Sequence, residues 1–432
     1  FKNGISAFGI TLCPNITLLL MNLFLLKYGG ESSVACYAVI SYATYFVYLI
    51  LQGVGDGCQP LLSDYFGRGD MTALHKTKHL AYITAEIIAA LSFVLLYVLR
   101  YHTGNLFGAS ETVTRMVGDN MPILLVGFLF LAYARVSTSS FYATQEAVKS
   151  SVIVYSEIIF FFLLLIIFPR FFGEPAVWWS MSIAQILAMI LSAISVFKHT
   201  EEYTINKSSL KLDLKTSWSQ IKIGIPISLQ FSITSIGSMV LQTAVNGFGA
   251  NVIAGFTAAG RVEQLTNIPM SGLGVGNMTF VSQNYGAGKY ERIIKSVKKI
   301  FILDVIVSLF CSAILVGIGP FIVKLFMKEY NPEIMNAANH YLWAIAECYS
   351  LVAILFVFRN TLQGLGFTYA NMIAGAGEFF GRLAVALIFA KVIGFNAICY
   401  AGPVAWLLAD IPLIIIYLNK KKKFKQMIQN QI

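Results

Sequence analysis

The chain has 432 residues, of which 57% are hydrophobic and only 12% are charged, and its mean hydropathy is +0.71. A soluble domain carries about 25% charged residues, so this composition excludes an ordinary water-soluble protein. The formal net charge of +10 raises the question of a nucleic-acid partner, which the placement of the charges argues against. The basic charge follows from membrane topology instead.

Long apolar runs recur along the whole chain. A helix needs about 20 apolar residues to cross a bilayer, and about twelve runs meet that criterion. Because the runs are continuously apolar rather than alternating in polarity, they predict helices and not the strands of a barrel. The runs span residues 4–26, 34–62, 80–99, 121–142, 152–168, 176–196, 223–245, 252–281, 300–322, 340–362, 371–392 and 397–418.

Basic residues fall in alternate loops between these runs. With the N-terminus inside, about 20 Lys and Arg lie in the cytoplasmic loops and about 7 in the others, which is a positive-inside bias. The sequence thus predicts a multi-pass protein of the cell membrane, most simply the bacterial inner membrane, with both termini cytoplasmic. The basic tail 420–432 marks the inner surface and can touch anionic lipid headgroups.

Two glycine-rich segments about 219 residues apart repeat each other. Residues 52–70 read QGVGDGCQPLLSDYFGRGD, and residues 271–289 read SGLGVGNMTFVSQNYGAGK. The shared positions are Gly53/Gly272, Gly55/Gly274, Gly57/Gly276, Ser63/Ser282, Gly67/Gly286 and Gly69/Gly288. We interpret the motif as helix packing and a turn rather than ligand binding, with Ser63 and Ser282 satisfying backbone groups.

This duplication predicts the domain organisation. An N-terminal six-helix lobe covers 1–200, a polar cytoplasmic linker 201–220, a C-terminal six-helix lobe 221–419 and the tail 420–432. Because six is even, the repeats keep the same orientation, so we expect parallel repeats related by a pseudo-two-fold axis along the membrane normal.

Several short motifs occur in order along the two lobes. The second lobe carries AGRVEQL at 259–265, SQNYGAGKYERI at 282–293, FRNTLQGLG at 358–366 and GEFFGR at 377–382. The first lobe is more divergent, with ACYAVISY at 35–42 and PLLSDYFGRGD at 60–70. In their order and spacing these motifs resemble those of the MATE family of multidrug and toxin extrusion transporters, and the resemblance covers nearly the whole chain.

The resemblance implies a V-shaped pair of six-helix bundles around a central cavity. It also implies antiport, in which entry of Na⁺ or H⁺ drives export of small organic, cationic and amphipathic compounds by alternating access. The expected partners are those compounds and membrane lipids, with no nucleic acid and no cofactor beyond the coupling ion. The transporter is expected to act as a monomer.

Glu157 is the leading candidate for ion coupling. Its run, VIVYSEIIFFFLLLIIFP, contains no other charge, and an isolated intramembrane carboxyl is a functional candidate by default. It can hold a proton, or Na⁺ if further oxygens are near. It resembles the acidic residue of the family's first-lobe ion site.

Asn22 stands where the family often has an Asp, and it cannot titrate. It offers a carbonyl oxygen or an interhelical hydrogen bond. Ser180 and Ser182 are further oxygen candidates, although packing explains them better.

The second lobe offers weaker candidates. Glu378 is the repeat counterpart of Glu157, and Arg382 follows it by four residues in the favourable order for a helical ion pair. A neutralised structural pair is therefore predicted there. Glu347 in the tenth run is a candidate together with Gln242 or Tyr349. Glu263 is expected either to face the cavity or to pair with an Arg on another span.

The remaining charges in the runs leave alternatives open. Arg135 and Arg359 are interpreted as anchors for backbone carbonyls or a Glu, and the role of Glu86 is open. Together with Arg261 and Arg382, these arginines also suit a flippase for a lipid-linked precursor, which is the alternative function. No metalloprotease, serine-hydrolase or P-loop motif is present in the sequence, so an enzyme is not predicted.

Overall fold

The computed structural model describes residues 2–197, 214–325, 327 and 329–430, and this part of the chain is almost entirely α-helical. Each of the twelve apolar runs lies on one helix or on consecutive helical segments. Nine of the described helices are long and apolar enough to cross a membrane, or ten if one bent pair is counted as a single span. The predicted all-α polytopic fold is confirmed.

The chain divides into two compact units, Phe1–Ser228 and Leu229–Ile432. The predicted linker 201–220 lies outside the described residues as far as residue 213, and from Leu214 onwards it already belongs to a helix. The helices of the first unit are α1 (Lys2–Arg68), α2 (Met71–Leu106), α3 (Glu111–Ala143), α4 (Ala147–Ile167), α5 (Pro169–Phe172) and α6 (Glu174–Phe197), and α7 (Leu214–Val245) crosses the boundary.

Helix α1 contains the first two predicted spans. Gly30 interrupts it with φ 77° and ψ −169°, a conformation that glycine adopts readily because it has no Cβ. Two of the next helices begin at side-chain caps: the Asp70 carboxylate accepts from Ala73 N at 3.0 Å, and the Ser110 hydroxyl accepts from Val113 N at 3.4 Å. Short capped turns of this kind satisfy the free amides of a helix start.

The second unit has a less regular set of helices. After a 3₁₀ turn at Asn246–Phe248, its helices are α8 (Ala250–Gly286), α9 (Tyr290–Gly317), α10 (Gly319–Leu325), α11 (Pro332–Glu347), α12 (Ser350–Gly364), α13 (Tyr369–Ala384), α14 (Ala390–Ile393), α15 (Phe395–Cys399) and α16 (Ala401–Gln429). Helices α11 and α12 form the tenth predicted span, which bends by 55° at Cys348 and Tyr349. A π-helical segment, Val385–Phe389, joins α13 to α14.

The repeated glycines serve helix packing and turns in both units. Gly69 and Gly288, the last shared pair, have φ values of 76° and 67° and precede α2 and α9. A Cβ built on Gly55 would lie 3.6 Å from the Arg135 carbonyl oxygen, and one on Gly274 would lie 3.2 Å from the Phe356 carbonyl oxygen. The motif therefore lets the second span of each unit approach the span that carries Arg135 or Arg359.

One detail of the motif differs from the prediction. The Ser63 hydroxyl is buried and has no hydrogen-bond partner among the described residues, so it does not satisfy a backbone group. Ser282, its counterpart, has an interaction of its own.

We expect Gly274→Ala to destabilise the protein by about 1–3 kcal/mol, because the added methyl overpacks a close helix contact. The new Cβ would lie 2.5 Å from Asn360 Nδ2. Gly276→Ala is the matched control, since nothing lies within 4 Å of its Cβ position and Ala favours a helix over Gly by up to about 1 kcal/mol. Thermal unfolding in detergent measures both. Equal midpoints for the two variants would contradict this packing role.

The basic tail is not a free segment. Helix α16 continues through it to Gln429, and the Phe424 ring stacks on Tyr290 with ring centroids 5.1 Å apart and contacts Tyr285 at 6.1 Å. The ammonium group of Lys420 lies 3.4 Å from the centroid of the Phe367 ring. The end of α16 is thus anchored on the turn between α8 and α9.

Candidate functional site

The first unit contains a polar cluster built by three helices. Tyr48 and Asp56 come from the second half of α1, Arg135 from α3 and Glu157 from α4. Arg135 Nη2 donates to the Tyr48 hydroxyl at 3.3 Å, and its guanidinium carbon lies 5.2 Å from the centre of that ring. Glu157 and Asp56 both interact electrostatically with Arg135. Glu157, isolated in its own helix, is therefore not isolated in the fold.

Glutamine side chains lie beside both carboxyl groups. Gln52 Nε2 donates to both oxygens of Asp56 at 3.0 Å, and the Gln185 side chain on α6 is close enough to Glu157 to interact with its carboxyl group. The Oε1 atoms of Gln52 and Gln185 are buried and have no hydrogen-bond partner among the described residues. Oxygen atoms are the preferred ligands of hard cations. Each carboxyl group therefore has a glutamine amide oxygen beside it that could serve as a further ligand for a cation.

The charges of this cluster do not balance. Asp56 and Glu157 are the carboxyl groups that act on Arg135, and the two other groups that act on it, Tyr48 and Cys13, are neutral at ordinary pH. With both acids ionised the cluster carries one excess negative charge in a half-buried position. An uncompensated charge of this kind is costly within a membrane, and one monovalent cation or one proton removes it.

Other first-unit candidates make bonds within the helical framework. Asn22 Nδ2 donates to the Leu18 carbonyl at 2.9 Å, and Ser180 donates to the Ala176 carbonyl at 2.6 Å. Ser182 donates to the Ile123 carbonyl, also at 2.6 Å. These bonds involve donor atoms only, so the oxygens of Asn22 and Ser180 stay candidates for a cation, as the sequence predicts.

The counterpart cluster in the second unit is more fully paired. Glu378 on α13 is 2% exposed and forms ion pairs with Arg359 of α12 and with Arg382 at 3.3 Å in its own helix. The predicted i, i+4 pair is therefore present, and a second arginine joins it. Asp410 on α16 interacts electrostatically with Arg359 and Glu378, while its two carboxyl oxygens have no hydrogen-bond partner in the described part of the chain.

Glu263 on α8 belongs to a separate hydrogen-bond network. Tyr341 of α11 donates to its carboxylate at 2.6 Å, and Asn267 Nδ2 lies 3.4 Å from the other oxygen. The Tyr349 hydroxyl, at the bend of the tenth span, bonds to Thr266 at 2.6 Å and to Asn267 Oδ1 at 3.0 Å. Arg382 lies close enough to act electrostatically on Glu263. Of the two alternatives that the sequence left open for Glu263, this arrangement matches the one in which an Arg of another span lies nearby.

Two second-unit candidates lie apart from both networks. Glu347 is exposed and accepts a hydrogen bond from Tyr400 at 2.8 Å. The predicted association of Glu347 with Tyr349 is not observed, because the bend turns the Tyr349 hydroxyl towards α8. Gln242 is half-buried on α7. Arg261 is exposed, and its Nη1 donates to Gln264 at 3.3 Å.

Sequence reasoning missed three acids. Asp56 lies inside the glycine motif. The difference from its repeat counterpart, Val275, which cannot carry charge, is the sequence signal that could have identified it. Asp410 and Asp304 are buried, at 2% and 0% exposure. Asp304 occupies nearly the same place in α9 as Glu86 does in α2, and its carboxyl oxygens are without hydrogen-bond partners among the described residues.

A helical membrane protein with two repeated units, each holding a carboxylate–arginine cluster among its helices, has the construction of a membrane transport protein. The MatE family model matches residues 7–171 and 226–388. The chain belongs to this family, MATE, and the resemblance found in the sequence is confirmed.

Individual relatives are distant. The chain is 21% identical over 353 residues to "Probable multidrug resistance protein YpnP" of Bacillus subtilis, covering 78% of this chain and 75% of the relative. It is 24% identical over 219 residues to "Multidrug export protein MepA" of Staphylococcus aureus, covering 49% and 46%. The match thus spans about half the length of MepA.

Solved structures share the fold. The Vibrio cholerae MATE transporter VcmN in its bent form superposes with a TM-score of 0.90 at 17% identity, over 99% of this chain and 97% of that one. A MOP superfamily transporter from Pyrococcus furiosus gives a TM-score of 0.87 at 15% identity, over 99% and 95%.

Proposed function

We propose that this protein is an antiporter that exports small organic, cationic and amphipathic compounds in exchange for Na⁺ or H⁺, by alternating access. Membership of the MATE family supports export, as do the names of the relatives YpnP and MepA. The loop distribution of Lys and Arg supports a bacterial inner membrane location with cytoplasmic termini.

One observation carries the coupling proposal. In the first-unit cluster two carboxyl groups, Asp56 and Glu157, act electrostatically on one guanidinium, that of Arg135. The cluster binds a cation because the cation neutralises the excess charge and Gln185 Oε1 offers a further oxygen. Release of that cation restores the excess negative charge of the cluster. Binding and release of the cation therefore change the relative stability of transporter conformations that differ in their affinity for it.

The flippase alternative receives no comparable support. It requires arginines that are available for phosphate, but Arg359 and Arg382 are paired with Glu378. Arg135 lies in the electrostatic field of two acids, Asp56 and Glu157, and these negative charges disfavour a bound phosphate. An export function for organic compounds therefore remains the conclusion that the described contacts favour.

We expect Glu157→Gln to abolish gradient-driven export while the protein still folds, because the glutamine removes the excess charge that the cation neutralises. Efflux of ethidium from proteoliposomes is measured under an imposed Na⁺ gradient and, separately, an imposed pH gradient. The gradient that drives the natural chain identifies the coupling ion. Glu111→Gln, a change at the exposed start of α3, is the matched control and should transport normally. Unchanged efflux in Glu157→Gln would rule out the coupling role.

A further inference from the structure

A groove at the start of α9 is lined by residues of α8 and α9 in the second unit. Its volume is about 370 Å³, within the range of about 300–1,000 Å³ that is typical of small-ligand sites. We call it the basic groove, and its lining residues are Phe280, Arg292, Lys295, Ser296, Lys299, Ile300 and Leu303.

Three cationic side chains dominate the polar part of the groove. Arg292, Lys295 and Lys299 are spaced three and four residues apart, so they lie on one side of α9. Lys295 pairs with Glu291 at 2.6 Å, but the two side chains are 70% and 65% exposed. An ion pair so exposed to solvent adds little and is readily exchanged. The groove therefore keeps a positive surplus that an anion can neutralise.

The floor of the groove is less polar than its rim. Arg292 extends over the Phe280 ring, with 5.7 Å between the guanidinium carbon and the ring centroid. The Ser296 hydroxyl donates to Asn277 Oδ1 at 3.3 Å, so its proton is already used. An anion in the groove would thus be held by ammonium and guanidinium groups above an aromatic and aliphatic floor.

The same side of α9 continues as an apolar stripe. Leu303 is 45% exposed, Ile306 57% and Phe310 67%, although all three are large hydrophobic residues. With a rise of about 1.5 Å per residue, the stripe leads from the basic groove along the helix for about 16 Å beyond Lys299. This order, cations first and apolar side chains next, matches a phosphate headgroup followed by an acyl chain.

We propose that the basic groove binds the phosphodiester headgroup of an anionic phospholipid, with one acyl chain lying along Leu303, Ile306 and Phe310. Clusters of Lys and Arg at the membrane surface recognise such headgroups. A soluble phosphate would use the three cations and leave the apolar stripe unused. The proposal is independent of transport and of the coupling ion.

The test compares lipid binding to the purified full chain by native mass spectrometry. Dioleoyl phosphatidylglycerol and dioleoyl phosphatidylcholine are the probes, because they share acyl chains and differ in headgroup charge. We expect the triple variant Arg292→Gln/Lys295→Gln/Lys299→Gln to bind phosphatidylglycerol at least about tenfold more weakly. The control variant Arg115→Gln/Arg170→Gln/Lys391→Gln removes the same charge from exposed positions outside the basic groove and the basic tail and should bind within about twofold of the natural chain.

Two further measurements distinguish binding of a lipid from binding of a soluble anion. Glycerol 3-phosphate should fail to compete with phosphatidylglycerol, and Leu303→Gln should weaken lipid binding even though all three cations remain. Equal losses in the two triple variants would overturn the proposal in favour of diffuse charge attraction. Effective competition by glycerol 3-phosphate, or equal binding of the two lipids, would overturn it as well. Because every substituted side chain is at the surface, gel filtration should show each variant folded.

Discussion

Glu378→Leu should destabilise the second unit by about 3–5 kcal/mol, the range observed when one partner of a buried ion pair is removed. Glu378 is the carboxylate that Arg359 and Arg382 share, and the two arginine side chains are only 12% and 11% exposed. Leucine fills a similar volume but leaves two buried positive charges without their shared anion. Thermal unfolding in detergent can be followed with a thiol-reactive dye, since Cys311 and Cys399 of this unit are buried and free.

The same substitution at Asp304 provides the contrast. Asp304 is fully buried, yet in the described part of the chain neither of its carboxyl oxygens has a hydrogen-bond partner. Asp304→Leu removes an unsatisfied polar group and should raise the unfolding free energy by about 1–3 kcal/mol. If both leucine variants are destabilised alike, the stability of this unit depends on acid burial in general and not on the arginine pairs.

Asp56→Asn should suppress gradient-driven efflux as severely as Glu157→Gln. Asparagine keeps the size of the side chain but removes one of the two negative charges that share Arg135, so the cluster becomes neutral without a bound cation. The double variant should be no worse than either single variant, because residues that act as a unit are not additive. Ethidium efflux from proteoliposomes compares all three at equal protein content.

Asp64→Asn is the control for this prediction. Asp64 lies eight residues further along α1 and pairs with Arg68 at 2.8 Å near the helix end, away from Arg135. Normal efflux in Asp64→Asn and lost efflux in Asp56→Asn would separate the cluster from charge on α1 as such. Normal efflux in Asp56→Asn would show that Glu157 acts without it.

Most of the fold was predictable because continuous apolar runs have few other structures open to them in lipid. The irregular positions were harder to predict. The bend at Cys348 and Tyr349 has no Pro or Gly to mark it, and it is associated with hydrogen bonds from Tyr349 to α8. Contacts between helices distant in sequence decide such features, so local patterns do not contain them.

The candidate sites also differ in whether local sequence or contacts between distant helices determine them. The pair Glu378–Arg382 was predictable because both residues lie on one helix, four residues apart. Arg359 as second partner, and Arg135 as neighbour of Glu157 and Asp56, arise only when separate helices pack. The two repeats differ at this position, because the first unit has Asp56 where the second has Val275. An acid in only one of the two repeats indicates a function of that unit alone.

The anchored end of α16 has a practical consequence for handling the protein. A purification tag joined after residue 419 would delete the Phe424 ring and leave Tyr285 and Tyr290 without the aromatic group that covers them. It would also remove the Lys420 ammonium group from the Phe367 ring. A tag that follows Gln429 preserves both contacts, so fusions should be joined there and truncations within the lysine run avoided.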